Sequence, residues 1–301
     1  MLHITNGDSV VRSFRDGDVP GTYLPWRDVL HDGALPQRDT LEALSDVRAA
    51  ELTRLGFGGD DDFQAMRAGF AERDRTLAAF RDHEEVVLWF EHDLYDQLQL
   101  LQILDWFSRQ DPGSTELTII QIGSHPEVTP FHGLGQFNGA QLAALLPARR
   151  PVTQHQLDLA QHAWRAFCGP DPSALSPFVE RSDAEMPFLR DALTRWLEEY
   201  PAGHDRLSRM EREILTVASE GAMNKGRLCR CVWQLEPWPW GDLSVLLRID
   251  GLATGPQPAL DRDGDGVTLS GYGRRLLAGD PAAVAARSVD TWLGGAHVII
   301  R

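Results

Sequence analysis

Apolar residues along this chain fall into two patterns, and their alternation predicts the fold. Glu85-Val-Val-Leu-Trp-Phe90 and Glu116-Leu-Thr-Ile-Ile-Gln-Ile122 are nearly continuous apolar runs. Runs of that kind predict strands buried on both faces of a parallel sheet. Leu2–Thr5 and Gly21–Leu24 are shorter candidates for the same role. Between them, Leu41, Leu44, Val47 and Ala50 recur at helical spacing inside a helix expected from Thr40 to Leu55. Further helices are expected over Asp61–Arg81 and Leu94–Phe107. Strand and helix in alternation predict an α/β protein, with a doubly wound parallel sheet covered by helices on both faces.

From Gly139 the pattern turns helical, over Ala140–Leu146, Thr153–Phe167 and Pro187–Tyr200, with Pro170, Pro172 and Pro177 in a connecting loop. Past Arg206 it changes again. Helices are expected over Ser208–Ser219, Lys225–Leu235 and, after Trp238-Pro-Trp240, Asp242–Ile249. A hairpin follows around Asp261–Ser270, then Gly273–Leu277. Three helices and a β wing predict a small winged-helix-like domain. The expected organisation is an α/β domain over 1–138 that holds the site, a helical region over 139–205 packed on it, and the winged-helix-like domain over 206–301.

In an open α/β sheet, ligands bind outside the carboxyl ends of the strands. Three expected strand ends carry polar sets: Asn6, Gly7, Asp8 and Ser9; Trp26, Arg27, Asp28, His31 and Asp32; and Glu91, His92, Asp93 and Gln97. Ionisable groups directly after a buried strand need partners or solvent. His92, His31, Asp8 and Glu91 are the candidates for proton transfer, histidine because it titrates nearest neutral pH. Arg12 and Arg27, with the backbone of Gly7–Ser9, suit an anion. Asn6, Trp26, Asp28, Asp32, Asp93 and Gln97 complete the expected substrate-binding set. Each reading has a structural counterpart. Asp93 can cap the helix beginning at Leu94 and Asp8 or Ser9 the one after Val10, and Arg27 can pair with Asp8 or Asp28.

Composition narrows the partners. A formal charge of −15 over 301 residues disfavours nucleic acid and anionic membrane surfaces, which need an excess of Lys and Arg. The expected partner is a small-molecule ligand, with homo-oligomerisation open. Cys168, Cys229 and Cys231 have neither disulfide-framework nor zinc spacing, which suits a reduced, cytoplasmic setting. No signal-like segment precedes Leu2, and no apolar run is long enough for a membrane helix. Asp8, Asp28, His31, Asp32, His92 and Asp93 are chemically adequate for a divalent ion, but no compact ligand motif supports one, and the sequence does not identify a cofactor. Asp261-Arg-Asp-Gly-Asp-Gly266 begins like an EF-hand loop, but its twelfth position is Tyr272 instead of Glu, so a turn in the wing is expected.

Two resemblances add to this reading. Gly7-Asp8-Ser9 after a first strand looks like the nucleophile block of GDS-type serine esterases, in which Ser9 would attack. His125 would be offered as base, yet Ile122 stands where such enzymes carry Asp. More extensively, Leu2-His-Ile-Thr-Asn-Gly-Asp-Ser9, Trp26-Arg-Asp-Val-Leu-His-Asp-Gly33 and Leu88-Trp-Phe-Glu-His-Asp93 with Gln97 resemble the bacterial family called domain of unknown function 1835. The tail from about Arg206 is similar to its frequent companion, domain of unknown function 3658. This resemblance implies the three-loop map and no activity; Ala34 stands where relatives often read Gly-Pro. The function expected is therefore an enzyme of small-molecule metabolism acting on an anionic substrate. The alternatives are a ligand-sensing or protein-interaction module and the serine ester hydrolase.

Overall fold

A five-stranded sheet positions the site, its strands in the spatial order Thr22–Pro25, Leu2–Thr5, Glu85–Glu91, Glu116–Ile122 and Arg150–Pro151. The computed structural model describes residues 1–17, 19–58, 63–201, 203–237 and 240–301. The chain enters through β1 (Leu2–Thr5), α1 (Asp8–Asp16) and β2 (Thr22–Pro25). It continues through α2 (Leu41–Arg54), α3 (Phe63–Ala78), β3 (Glu85–Glu91), α4 (Leu94–Phe107) and β4 (Glu116–Ile122). Strands β1 to β4 are all parallel, so the parallel sheet expected from the apolar runs is the observed one. Thr5 is in register with both Pro25 and Trp89, and Glu91 with Ile122, so the four carboxyl ends share one edge. A short antiparallel strand, β5 (Arg150–Pro151), closes the β4 side.

Each strand is buried where its run is apolar, and the two faces are filled differently. On one face, Val87, Trp89, Ile120 and Ile122 pack with Val10 and Phe14 of α1 and with Leu142 of α5 (Gly139–Leu145). Helix α4 is buried nearly all round, its polar Gln97, Gln99 and Gln102 included. Its buried amides are anchored: Gln99 donates to the Trp26 and Asp28 carbonyls, and Gln102 accepts from the Trp26 indole at 2.8 Å.

Helices α1 and α5 meet at two glycines. A Cβ on Gly139 would stand 2.1 Å from the Gly17 Cα, and one on Gly17 would stand 2.2 Å from the Gly139 Cα. Neither position has room for a methyl group. Gly17→Ala or Gly139→Ala is expected to destabilise the fold by about 1–3 kcal/mol, the usual cost of overpacking. Thermal unfolding by circular dichroism measures it; variants as stable as the parent would show that the contact yields.

The remaining elements are α6 (Gln154–Phe167), α7 (Ser176–Val179), α8 (Leu189–Leu197), α9 (Arg209–Ala218), β6 (Met223–Asn224), α10 (Lys225–Trp233), α11 (Asp242–Leu252), β7 (Leu260–Asp263), β8 (Gly266–Leu269), α12 (Gly271–Leu277), α13 (Pro281–Ala285), β9 (Val289–Leu293) and β10 (Ala296–Ile300). Helices α9, α10 and α11, with β6 between the first two and a sheet in the order β6-β8-β7, give the element order of a winged helix. The Asp261–Gly266 stretch is the hairpin turn expected of it, with Gly264 at φ +57°.

The chain divides into two compact units: Met1–Leu193 with Gly294–Ala296, and Thr194–Leu293 with His297–Arg301. The helical stretch over 139–193 belongs to the first unit, and the division falls near Leu193 rather than Arg206. Sequence periodicity did not point to β5, β6, α13 or the β9–β10 hairpin, and Pro177, expected in a connecting loop, lies in the one-turn helix α7. Asp61, offered as a helix start, and Trp238 lie outside the described residues. No described helix is long and apolar enough to cross a membrane.

Candidate functional site

Strand β1 lies between β2 and β3; the connection leaving β1 runs to β2 and the one leaving β3 runs to β4, on opposite sides. The β1/β3 junction is the switch point, where an open α/β sheet leaves a crevice at its carboxyl edge. Asn6 to Ser9 leave β1 there, and Glu91 to Asp93 leave β3.

Three carboxylates converge at this junction. Glu91, Asp93 and Asp96 each place an oxygen within 4.8 Å of the others. Glu91 ends β3, Asp93 caps α4 by accepting the Asp96 N–H at 2.9 Å, and Asp96 lies in the first turn of that helix. Glu91 and Asp96 are buried and Asp93 is half-buried. The cluster is held by donors from both strands and from a loop. Asn6 Nδ2 donates to Asp96 Oδ2 at 2.6 Å, and the Glu91 N–H donates to Asp96 Oδ1 at 2.7 Å. The Leu134 N–H donates to Glu91 Oε1 at 2.5 Å. Gly133 permits that last contact: its φ is +149°, and a Cβ there would stand 2.1 Å from Glu91 Oε2. Gln97 Nε2 donates to the Glu91 carbonyl at 2.6 Å and fixes the strand end to the helix.

Burial and mutual repulsion keep protons on these groups. Burial, then the charge of Asp93, pushes the Glu91 carboxyl up to about 8. Burial pushes Asp93 up to about 6. Asp96 is raised well above the carboxylate range, first by burial and then by Glu91 and Asp93. A helix N-terminus ordinarily favours a charged carboxylate; here desolvation and like charge win. Three oxygens this close could also share a hard divalent cation. The N–H donors aimed at these carboxyls pull their pKa values down, and burial outweighs that pull.

A second group lies beside the first. Arg27 donates twice to Asp8, Nε to Oδ2 and Nη2 to Oδ1, both at 2.7 Å. Both side chains are exposed, at 62 % and 56 %. The hydrogen bond from Arg27 holds the Asp8 carboxyl below the ordinary range, with Arg12 and Arg15 adding to it. These four residues, with Tyr23 and Arg73, line a cavity of about 670 Å³ between α1, β2 and α3. Asn6 and Asp8 are two residues apart, so their Cα atoms are at most about 7 Å apart.

The third group is interior. Trp26 and Asp28 are fully buried and Asp32 nearly so. Arg48, itself fully buried, donates to Asp28 Oδ1 at 2.9 Å and to the carbonyls of Val29, Asp32 and Ala34 at 2.8–3.0 Å. Arg73 lies over the Trp26 ring, 4.0 Å from its centroid. The Trp-Arg-Asp-x-Leu-His-Asp-Gly string thus forms a loop wrapped around an arginine. Within it only Arg27 is exposed, and the polar atoms of Trp26 and Asp28 face partners inside the protein. His31 is buried too, 3.6 Å from the Asp32 carboxylate and edge-on to Tyr95.

His92 also points elsewhere. It is buried against Phe131 and Phe188, and a hydrogen bond joins it to the Ile122 backbone. Burial lowers its pKa, so the ring is neutral at pH 7. Neither His31, Glu91 nor His92 lines the cavity that contains Asp8 and Arg27. Asp8, Arg27, His31, Glu91 and His92, all expected at the carboxyl edge of the sheet, therefore fall into separate groups. Ser9 is exposed in the first turn of α1, against Gly135. His125 Nδ1 accepts the Glu127 N–H at 3.3 Å. That bond puts the proton of the neutral ring on Nε2, where a serine's base would need a lone pair.

Sequence reasoning missed Asp96, Arg15 and Arg48. For Asp96 the signal was present: an acid three residues after a capping Asp, just past a buried strand ending in Glu. Arg48 looked like one polar residue on a helix, and only the fold reveals its partners.

No family model and no curated protein matches this chain.

Proposed function

We propose that this chain is an enzyme of small-molecule metabolism, acting on a phosphate- or carboxylate-bearing substrate at the carboxyl edge of its parallel sheet. The carrying observation is the Glu91–Asp93–Asp96 cluster, which holds protons near neutral pH at the β1/β3 switch point. Carboxyl groups tuned in this way are suited to general acid–base catalysis. In this reading Arg12 and Arg27 bind the anion, helped by the N–H groups that open α1. Asp8, which accepts both Arg27 hydrogen bonds, would give way to that anion. Glu91 or Asp93 gives up or takes the proton, and Asn6 and Gln97 hold the carboxyls in place. His92, packed and neutral, orients the β4 loop. The resemblance to domain of unknown function 1835 is read likewise, since its three strings supply these loops.

The winged-helix-like tail is proposed as a protein- or self-association element and not a nucleic-acid reader. The single arginine of α11, Arg248, donates to its own Ser244 carbonyl at 3.3 Å and lies over Trp240. A recognition helix needs several free cations.

Inorganic phosphate is the simplest probe of the anion site. At ten times its Kd a ligand stabilises the folded state by about 1.4 kcal/mol. Phosphate is expected to raise the melting temperature of the parent and to leave an Arg12→Ala/Arg27→Ala variant unchanged. Both side chains are exposed, so the variant should fold normally. Equal shifts in parent and variant, or none in either, would count against the proposal.

A further inference from the structure

The first unit holds another cleft, and no residue of the proposed catalytic edge lines it. Its volume is about 560 Å³, inside the range of small-molecule sites. Gln102, Asp105, Trp106 and Arg109 of the α4 end form one wall, and Trp164 and Arg165 of α6 another. Asp105 lies nine residues beyond Asp96, so about 14 Å of helix separates this wall from the carboxylate cluster.

Three features of the cleft describe a ligand. Its wall contains two tryptophans, Trp106 half-buried and Trp164 at 7 % exposure, and such faces receive flat rings. Its rim is cationic: Arg38, Arg109 and Arg165 stand against Asp39 and Asp105. Asp105 is already engaged by Arg109, whereas the Arg165 and Arg38 side chains are exposed at the mouth. Finally, Gln102 is 2 % exposed and uses only half of its amide. Oε1 accepts the Trp26 indole N–H at 2.8 Å, while Nε2 has no hydrogen-bond partner among the described residues. A buried donor without an acceptor costs roughly 1–3 kcal/mol, and an acceptor on a ligand would remove that cost.

We propose that this cleft binds a planar aromatic molecule carrying an anionic group, its ring against the tryptophans, its anion at Arg38 and Arg165, and a ring acceptor toward Gln102. A nucleoside monophosphate and an aromatic carboxylate share this chemistry. The inference does not depend on the proposed reaction at the sheet edge.

Calorimetric titration of the full chain tests it with AMP and quinoline-6-carboxylate, both of which carry a ring nitrogen acceptor, against adenosine and quinoline as neutral counterparts. At least one anion is expected to bind with a Kd of roughly 1 mM or tighter, and roughly tenfold more tightly than its neutral counterpart. Arg38→Ala/Arg165→Ala alters exposed side chains only, and should weaken binding roughly tenfold at an unchanged melting temperature. Arg12→Ala/Arg27→Ala should bind the same probe as the parent does, which separates this cleft from the sheet edge. Three results would each overturn the proposal: neither anion binds, the neutral counterparts bind as well, or the Arg38/Arg165 variant binds like the parent.

Discussion

Replacing Arg48 with alanine is expected to destabilise the first unit by about 3–5 kcal/mol, the loss typical when one partner of a buried ion pair is removed. Arg48 has no exposed surface, and its guanidinium serves Asp28 and three backbone carbonyls of the loop from Val29 to Ala34. Without it Asp28 is left buried, with Arg73 as the next cation at 3.9 Å. For a unit of this size each kcal/mol moves the melting temperature by roughly 2–4 °C, so a fall on the order of 10 °C is expected. Arg48→Lys should recover little, because one ammonium cannot reproduce the fork of donors. Thermal unfolding within about 2 °C of the parent would mean that the loop stands without its arginine.

The second large effect is a stability that falls as pH rises. Glu91 has an ordinary value of 4.5 in the unfolded chain and about 8 in the folded protein. The folded state therefore holds the proton more tightly. Stability from this group is fully present below the unfolded value and is lost progressively as pH climbs from there through about 8. Each unit of difference is worth about 1.4 kcal/mol, so the loss between pH 5 and pH 8 is of the order of a few kcal/mol. Asp93 and Asp96 shift the same way. Glu91→Gln removes an ionisable group and keeps an oxygen for the Leu134 N–H. The variant is expected to resemble the parent near pH 5 and to be clearly more stable near pH 8. Denaturant titrations at the two pH values measure the difference; parallel behaviour of the two proteins would show that Glu91 ionises freely.

The fold was legible because its strands announce themselves. Val86 to Phe90 and Leu117 to Ile122 are apolar on both sides, as only interior parallel strands are, and the caps Thr40, Asp93 and Thr153 mark helix starts where they were expected. The polar strand ends were legible as residues but not as a site. Whether a polar residue after a strand faces a crevice or the interior depends on its partner, and Asp28 finds Arg48 from 20 positions away. Likewise, the proton on Glu91 depends on burial under Gly133 and Leu134, more than forty residues downstream. Periodicity carries no information about such pairings.

The proposed chemistry depends on carboxyl groups at the switch point that stay protonated near neutral pH. Carbon-detected NMR of protein labelled at the Asp and Glu carboxyl carbons, titrated from pH 3 to pH 10, observes them directly. The account predicts a glutamate carboxyl titrating near pH 8 and absent from the Glu91→Gln spectrum, with an aspartate near pH 6 that persists in that variant, because Glu91 is still neutral where Asp93 titrates. A Glu91 carboxyl that titrates at its ordinary value of 4.5 would contradict the account.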